Sequence, residues 1–226
     1  MALGHSPSIV TNGLVLCLDA GNTKSYPGSG TTWSDLSGNG ITGTLQTPTF
    51  SATKNGCLVF NGTADYVSTP TVFNNTAGTW ECWFNPSILT GDGAYGRRLM
   101  HQSNAGGNNE VNFTHISGNL QWLGYGTSYV WQLTCTGGVS LSNWYSVVGT
   151  YDGSTAALYL NGVLSSSVAQ TGPVGTATGG LYIGRVGFTN VGRFGGSISQ
   201  VKVYNRALTA TEVAQNFNAL RGRFGV

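Results

Sequence analysis

Asn143-Trp-Tyr-Ser-Val-Val-Gly-Thr-Tyr-Asp-Gly153 runs directly into Ser154-Thr-Ala-Ala-Leu-Tyr-Leu-Asn-Gly162. Trp144 opens a segment of β-branched and aromatic residues, and Asp152-Gly153 ends it. A second such segment follows, and Asn161-Gly162 ends that one. Asn-Gly and Asp-Gly tolerate positive φ at the central positions of a tight turn, and that turn matches the twist of antiparallel strands. The stretch therefore predicts a three-strand meander.

The same grammar extends outward in both directions. Leu14-Val-Leu-Cys-Leu18 reads as a buried strand, and Cys57-Leu-Val-Phe60 and Asp65-Tyr-Val-Ser68 flank Asn61-Gly62. Thr79 to Phe84 alternates, so Trp80, Cys82 and Phe84 share one face. His115 to Trp122 is expected to turn at Gly118-Asn119. Strand-like runs recur about every 8–12 residues, which favours an all-β sandwich or barrel of roughly twelve strands. The chain has 35 glycines and only 8% charged residues, with no collagen-like period, which suits many tight turns between short strands. At 226 residues a β-sandwich can be one domain, so a single domain over 1–226 is expected, with short arms at 1–10 and 221–226.

One helix is predicted, over about 210 to 220. Leu208-Thr-Ala-Thr-Glu-Val213 holds a capping box: Thr209 faces the amide three residues on and Glu212 reaches back, with Leu208 and Val213 at the staple positions. Val213, Phe217 and Leu220 then form one apolar stripe.

Charge and cysteine usage exclude several functions. The net charge is +2 and no basic stripe exists, which argues against nucleic acid. No apolar run is long enough to span a bilayer, and Met1 to Val10 lacks a secretory leader pattern. Cytoplasmic synthesis is the expectation. Cys17, Cys57, Cys82 and Cys135 are far apart in apolar runs and are expected to be buried free thiols.

Several stretches together resemble the laminin-G-like domains of the concanavalin A-like lectin and glucanase superfamily. They are the 143–162 stretch, Leu181-Tyr-Ile-Gly184, Phe194-Gly-Gly-Ser-Ile-Ser-Gln-Val-Lys-Val-Tyr-Asn-Arg-Ala-Leu208 and, upstream, Trp33-Ser-Asp-Leu-Ser-Gly-Asn-Gly40. The resemblance implies a jelly-roll-like antiparallel β-sandwich, concanavalin A-like, with one short C-terminal helix. Gly13-Leu-Val-Leu16 and Asn216-Phe-Asn-Ala-Leu-Arg-Gly-Arg-Phe-Gly225 are also similar to modules in tailed-phage virion proteins. That likeness implies a virion surface location, assembly in a host cytoplasm without a signal peptide, and virion proteins as partners, with a homo-trimer as one form. Its functions would be glycan binding or host adhesion at a cell surface. The alternatives are a purely structural capsid decoration or cement role and, more weakly, a cellular adhesion module.

Related glucanases pair acids on one strand, with carboxyls about 5–5.5 Å apart in retaining enzymes. The eight acids here include no two within five positions, so no enzyme is expected. Calcium is the cofactor the fold suggests. Asp35, Ser37 and Asn39 offer alternate oxygen side chains, with Asp19 and Asn22 as a second arm and Asp65 as a second candidate. The same residues can instead cap a tight turn through Asx-type hydrogen bonds. For glycan binding, Trp122, Tyr125, Tyr129 and Trp131 supply aromatic faces and Asn108 and Asn109 supply amides; lining the core is the competing role for the aromatics.

Overall fold

The computed structural model describes residues 7–70, 72, 77–93, 96–104, 110–126, 129–170 and 177–226. Among these, sixteen strands form two antiparallel sheets, more than the twelve that turn spacing suggests. The excess includes β2 and β4, segments of two and three residues too short to show a period.

The strands are β1 Leu14–Asp19, β2 Thr32–Trp33, β3 Gly43–Gln46, β4 Thr49–Ser51, β5 Cys57–Asn61, β6 Tyr66–Ser68, β7 Gly78–Pro86 and β8 Arg97–Gln102. Then follow β9 Glu110–Ile116, β10 Asn119–Tyr125, β11 Tyr129–Thr134, β12 Tyr145–Tyr151, β13 Thr155–Leu160, β14 Val163–Ala169, β15 Leu181–Ile183 and β16 Gly195–Tyr204. One sheet runs β14-β13-β12-β7-β16-β5-β4, with β1 also paired to β16. The other runs β11-β10-β9-β8-β15-β6-β3-β2. The meander expected over 143–169 is present as β12, β13 and β14. Asn161 and Gly162 adopt φ of 51° and 77° between β13 and β14, the left-handed pair an Asn-Gly hairpin needs. Asp152 Oδ1 accepts from Ser154 N and Thr155 N to hold the preceding turn. The β9–β10 hairpin differs from its expected centre by one residue. Ser117 and Gly118 carry the positive φ, and Asn119 already pairs with Ile116.

The core between the sheets is aromatic. Trp80, Cys82 and Phe84 point into it from β7, meeting Phe113, Trp122 and Trp131 from the opposite sheet. All four cysteines are buried and free, and burial pushes the Cys17 thiol up to about 12. These thiols act as small apolar groups.

The helix α1, Ala210–Phe224, carries the predicted capping box: Thr209 Oγ1 accepts from Glu212 N at 3.3 Å and Glu212 Oε2 accepts from Thr209 N at 2.9 Å. It runs past its expected end at 220. The segment read as a C-terminal arm at 221–226 is instead mostly the last helical turn, because Phe224 is buried against Trp83 with ring centroids 4.1 Å apart. Arg223 closes that turn onto the sheet, with Nη1 2.7 Å from Asp19 Oδ1. At the other terminus, Val10 N donates to Asn216 Oδ1 and Ser8 O accepts from Gln215, so 8–10 are tied to the helix; residues 1–6 lie outside the described residues. Among the described residues, no helix is long and apolar enough to cross a membrane.

α1 covers the outer face of the first sheet over β7 and β16, so those strands are buried on both sides. Glu81 and Trp83, the polar and aromatic residues between the core-facing ones, are 1% and 0% exposed. Lys202 Nζ reaches Glu81 Oε1 at 2.6 Å, and Asn216 donates to Glu81 Oε2 at 2.8 Å. The middle of the helix-side sheet is thus closed, while its edge strand β14 is exposed and an opening of about 340 Å³ remains over β12 and β13 beside the start of α1. The outer face of the other, loop-side sheet also carries a cleft.

Candidate functional site

Strand pairing lines up one row of side chains across the loop-side sheet. Ser68, Tyr182, His101, Asn112, Leu123 and Gln132 are successive cross-strand partners from β6 to β11. Alternation puts this row outward, because Val67, Leu181, Ile183, Val111, Phe113 and Trp122 point into the core. Glu110 lies on the same face two residues from Asn112, opposite Tyr125.

A loop over 184–194 folds back across this row. Gly184 N donates to Leu99 O, Arg98 N donates to Gly192 O, and Gly187 N donates to His101 Nδ1 at 3.1 Å. Glycine at 187 permits this close approach, because a Cβ there would stand 2.6 Å from the Tyr182 ring. Phe188 settles beside His101, ring centroids 5.5 Å apart. Between this loop and the sheet opens a cleft of about 240 Å³, lined by Ser103, Asn104, Gly179, Gly180, Tyr182, Gly187 and Phe188. Drug-sized pockets run about 300–1,000 Å³, so this one holds a single small ring with its ends in solvent.

Next to the cleft, reached through the His101 contacts with Gly187 and Phe188, lies a polar cluster. Glu110 approaches Arg98 Nη2 at 3.4 Å and His101 Nε2 at 3.3 Å, and it accepts from Asn112 Nδ2. Because Gly187 N–H occupies Nδ1, the His101 proton sits on Nε2, facing Glu110. Burial holds His101 below its ordinary value, with Glu110 opposing and Arg98 assisting. Burial pushes Glu110 up, but His101 and Arg98 together hold it below the usual carboxylate range. The cluster beside the cleft is therefore an ionised carboxylate, an arginine and a neutral histidine at neutral pH.

The structure redistributes the expected glycan residues. Trp122 and Trp131 are corrected to core residues, 0% and 3% exposed. Their rings are 5.0 Å apart, Trp131 lies 4.5 Å from Tyr151, and Gly149 leaves the space that Trp122 fills. No sugar can stack on rings enclosed between two sheets. Tyr125 is on the outer face, beside Glu110, and the backbone of Tyr129 pairs with it. Asn108 and Asn109 lie outside the described residues. Tyr182 and Tyr66 were missed as site residues. The available signal was alternation: Tyr182 lies between core-facing Leu181 and Ile183, and Tyr66 precedes core-facing Val67, so each points out.

The calcium candidates are bound up in hydrogen bonds. Asp35 Oδ1 accepts from Cys17 N and Ser37 N, and Oδ2 accepts from Ser37 Oγ at 2.6 Å. Asn39 turns its amide nitrogen, not its oxygen, toward Ser37 and the Leu14 and Val15 carbonyls. Asp19 is drawn away to Gln200 and Arg223, Asn22 Oδ1 accepts from Lys24 N, and Asp65 accepts from Thr47 and Asn61. These oxygens do not converge on one vacant point, so they do not fit a calcium ion; they fit the turn-capping role. Among the described residues no group of three or more His, Cys, Asp or Glu could hold a metal.

The sequence profile of the concanavalin A-like lectin/glucanases superfamily matches residues 61–214. The chain belongs to this superfamily. No curated protein matches it. Among solved structures, domain 4 of AbnA, a GH43 extracellular arabinanase from Geobacillus stearothermophilus in complex with arabinotriose, is similar with a TM-score of 0.71 at 19% identity. The match covers 90% of this chain and 97% of that one. The binding domain of Paraclostridial Mosquitocidal Protein 1 gives a TM-score of 0.71 at 16% identity over 92% of this chain and 52% of that one. The botulinum neurotoxin type G receptor binding domain gives 0.66 at 15%, over 91% and 51%. This superfamily member therefore spans about half the length of those two binding domains, and at these identities the likeness is one of fold.

Proposed function

We propose that this chain is a non-catalytic, glycan-binding module on the surface of a tailed-phage virion, with the sugar seated in the cleft at Tyr182. The observation that carries this is the cleft itself. An aromatic ring, Tyr182, and a second, Phe188, line a ring-sized opening together with Ser103 and Asn104. Apolar ring faces with a few polar groups are what carbohydrate stacking requires. Support comes from the similar arabinanase domain, which is described with arabinotriose, and from the similar binding domain of the mosquitocidal protein and receptor binding domain of the neurotoxin.

The distribution of acids supports binding without hydrolysis. Among the strands of the loop-side sheet Glu110 is the single carboxylate, and it is held by Arg98, His101 and Asn112. Acid and nucleophile roles need two carboxyls on one face. The virion placement rests on the likeness of the chain's two ends to phage modules.

A glycan array followed by titration of the hits tests the binding reading. Wild type should bind, and Tyr182→Ala should weaken binding at least about tenfold while leaving the fold intact. A silent array, or full affinity in Tyr182→Ala, sinks the site. Immunogold labelling of purified particles tests the location, and mass photometry tests the trimer.

A further inference from the structure

Tyr66 and Tyr182 stand on paired strands, with ring centroids 6.2 Å apart and planes tilted by 39°. Arg185 folds back over both. Its guanidinium carbon lies 3.8 Å from the Tyr66 ring centroid and 5.0 Å from that of Tyr182. Both distances are inside the ~6 Å range of cation–π attraction. Asn190 Oδ1 accepts from Nη1 at 3.2 Å, fixing the group from a third side. The guanidinium is thus oriented before any ligand arrives.

Its charge is nevertheless uncompensated. Among the described residues, the carboxylates pair with Arg98, His101, Lys202, Arg206 and Arg223, and none pairs with Arg185. Arg185 Nε is buried with no hydrogen-bond partner. Glu110, the carboxylate of this sheet, is already committed to Arg98, His101 and Asn112. A partly desolvated cation without a counter-charge is costly, and an anion meeting its terminal nitrogens would offset that cost. Tyr182 is common to the Arg185 stack and the cleft lining, so that anion would come with whatever occupies the cleft.

We infer that Arg185 reads a carboxylate on the bound sugar, so the ligand class is an acidic glycan carrying a uronate or a sialate. The inference rests on the glycan-binding reading of the same face. A planar guanidinium braced on aromatic rings can meet a carboxylate with two parallel N–H···O bonds, which a neutral sugar cannot reciprocate.

Calorimetric titration with matched pairs tests this: glucuronic acid-terminated against glucose-terminated disaccharides, and sialyllactose against lactose. Charged hydrogen bonds of this kind predict at least about tenfold tighter binding of one acidic member than of its neutral partner. The preference should shrink as salt is raised. The pair that shows it identifies the source of the carboxylate. In Arg185→Gln the acidic and neutral members should bind alike, and Arg185→Lys should keep only part of the preference. Asn190→Asp keeps the stacked arginine but supplies a carboxylate of its own, so it should also erase the preference, and it serves if Arg185→Gln folds poorly. Equal binding of acidic and neutral members by wild type overturns the acidic-ligand inference and leaves glycan binding standing. A preference that survives both Arg185→Gln and Asn190→Asp overturns it too. Failure of every sugar to bind overturns both readings.

Discussion

The two outer faces of this sandwich are built to opposite ends. On the helix side, Trp83 stacks between Phe217 and Phe224, and Glu81, Lys202, Asn216 and Tyr204 satisfy one another in the dark beneath α1. On the loop side, a short loop with Gly187 at its closest approach is the cover, a cleft remains, and Arg185 and Asn112 keep polar atoms without partners. Both sides keep buried polar atoms without hydrogen-bond partners, Trp83 Nε1, Ser146 Oγ and Gln200 Oε1 on strands of the helix-side sheet and Arg185 Nε and Asn112 Oδ1 on the loop side. The difference lies in the cover: a packed helix joins the charged network on one side, and a loop leaves an aromatic-lined cleft on the other. The difference predicts that substitutions on the helix face change stability alone, while those on the loop face change binding first.

The largest test is on the helix face. Glu81→Ala strands Lys202 as a buried unpaired cation and should cost about 3–5 kcal/mol in denaturant unfolding. Glycan affinity of the remaining folded protein should not move. A cost below about 1 kcal/mol would mean that water reaches that network and the two faces are alike.

Acid should strike the strand beneath the loop face next. His115, on β9, is fully buried against Phe194, and burial, aided by Arg97, holds it down to about 4. The unfolded chain takes up this proton near pH 6.5 and the folded chain resists to about pH 4, so stability is full above 6.5 and falls by about 3 kcal/mol across that window. His101, also held down by burial, adds loss in the same direction. His115→Leu should flatten most of the slope in unfolding curves collected between pH 7 and pH 4.

Gly187→Ala sharpens the comparison further. The new methyl meets the Tyr182 ring and His101 Nδ1, so the loop must lift, at about 1–3 kcal/mol. Hydrogen exchange should rise over 184–194 alone, and glycan binding should be lost. Unchanged exchange there would show that the loop does not depend on that contact. The smallest effect belongs to chelation. Because Asp35, Asp19 and Asp65 are satisfied by protein donors, EDTA should leave Tm where it is; a fall restored by added calcium would contradict the turn-capping role.

Much of the fold was legible because it is written in local chemistry. Asn161-Gly162 and Asp152-Gly153 set hairpins by backbone φ and Asx bonding, and Thr209 with Glu212 set the helix start. Such signals act over a few residues, so the sequence carries them whole. The site was less legible. Aromatic richness over 122–131 pointed to a sugar surface, yet Trp122 and Trp131 are core because Leu120, Trp122 and Gly124 share the inward parity of β10. Parity says inward or outward only once one face is known to be buried. For β7 both faces are, so Glu81, on the face opposite Trp80, Cys82 and Phe84, is buried as well.

The sequence by itself determined the class, the superfamily, the turns, the capped helix and the free buried cysteines. Each follows from short-range propensity or from an ordered set of motifs. Tertiary structure alone decided which outer face α1 covers. It also set His101, Glu110 and Tyr182 in adjoining positions from separate strands, and it left Arg185 stacked on two tyrosines with no carboxylate beside it. Those outcomes depend on strand register and on contacts between residues as far apart as Tyr66 and Arg185. No local pattern encodes them, because they exist only once the two sheets have closed.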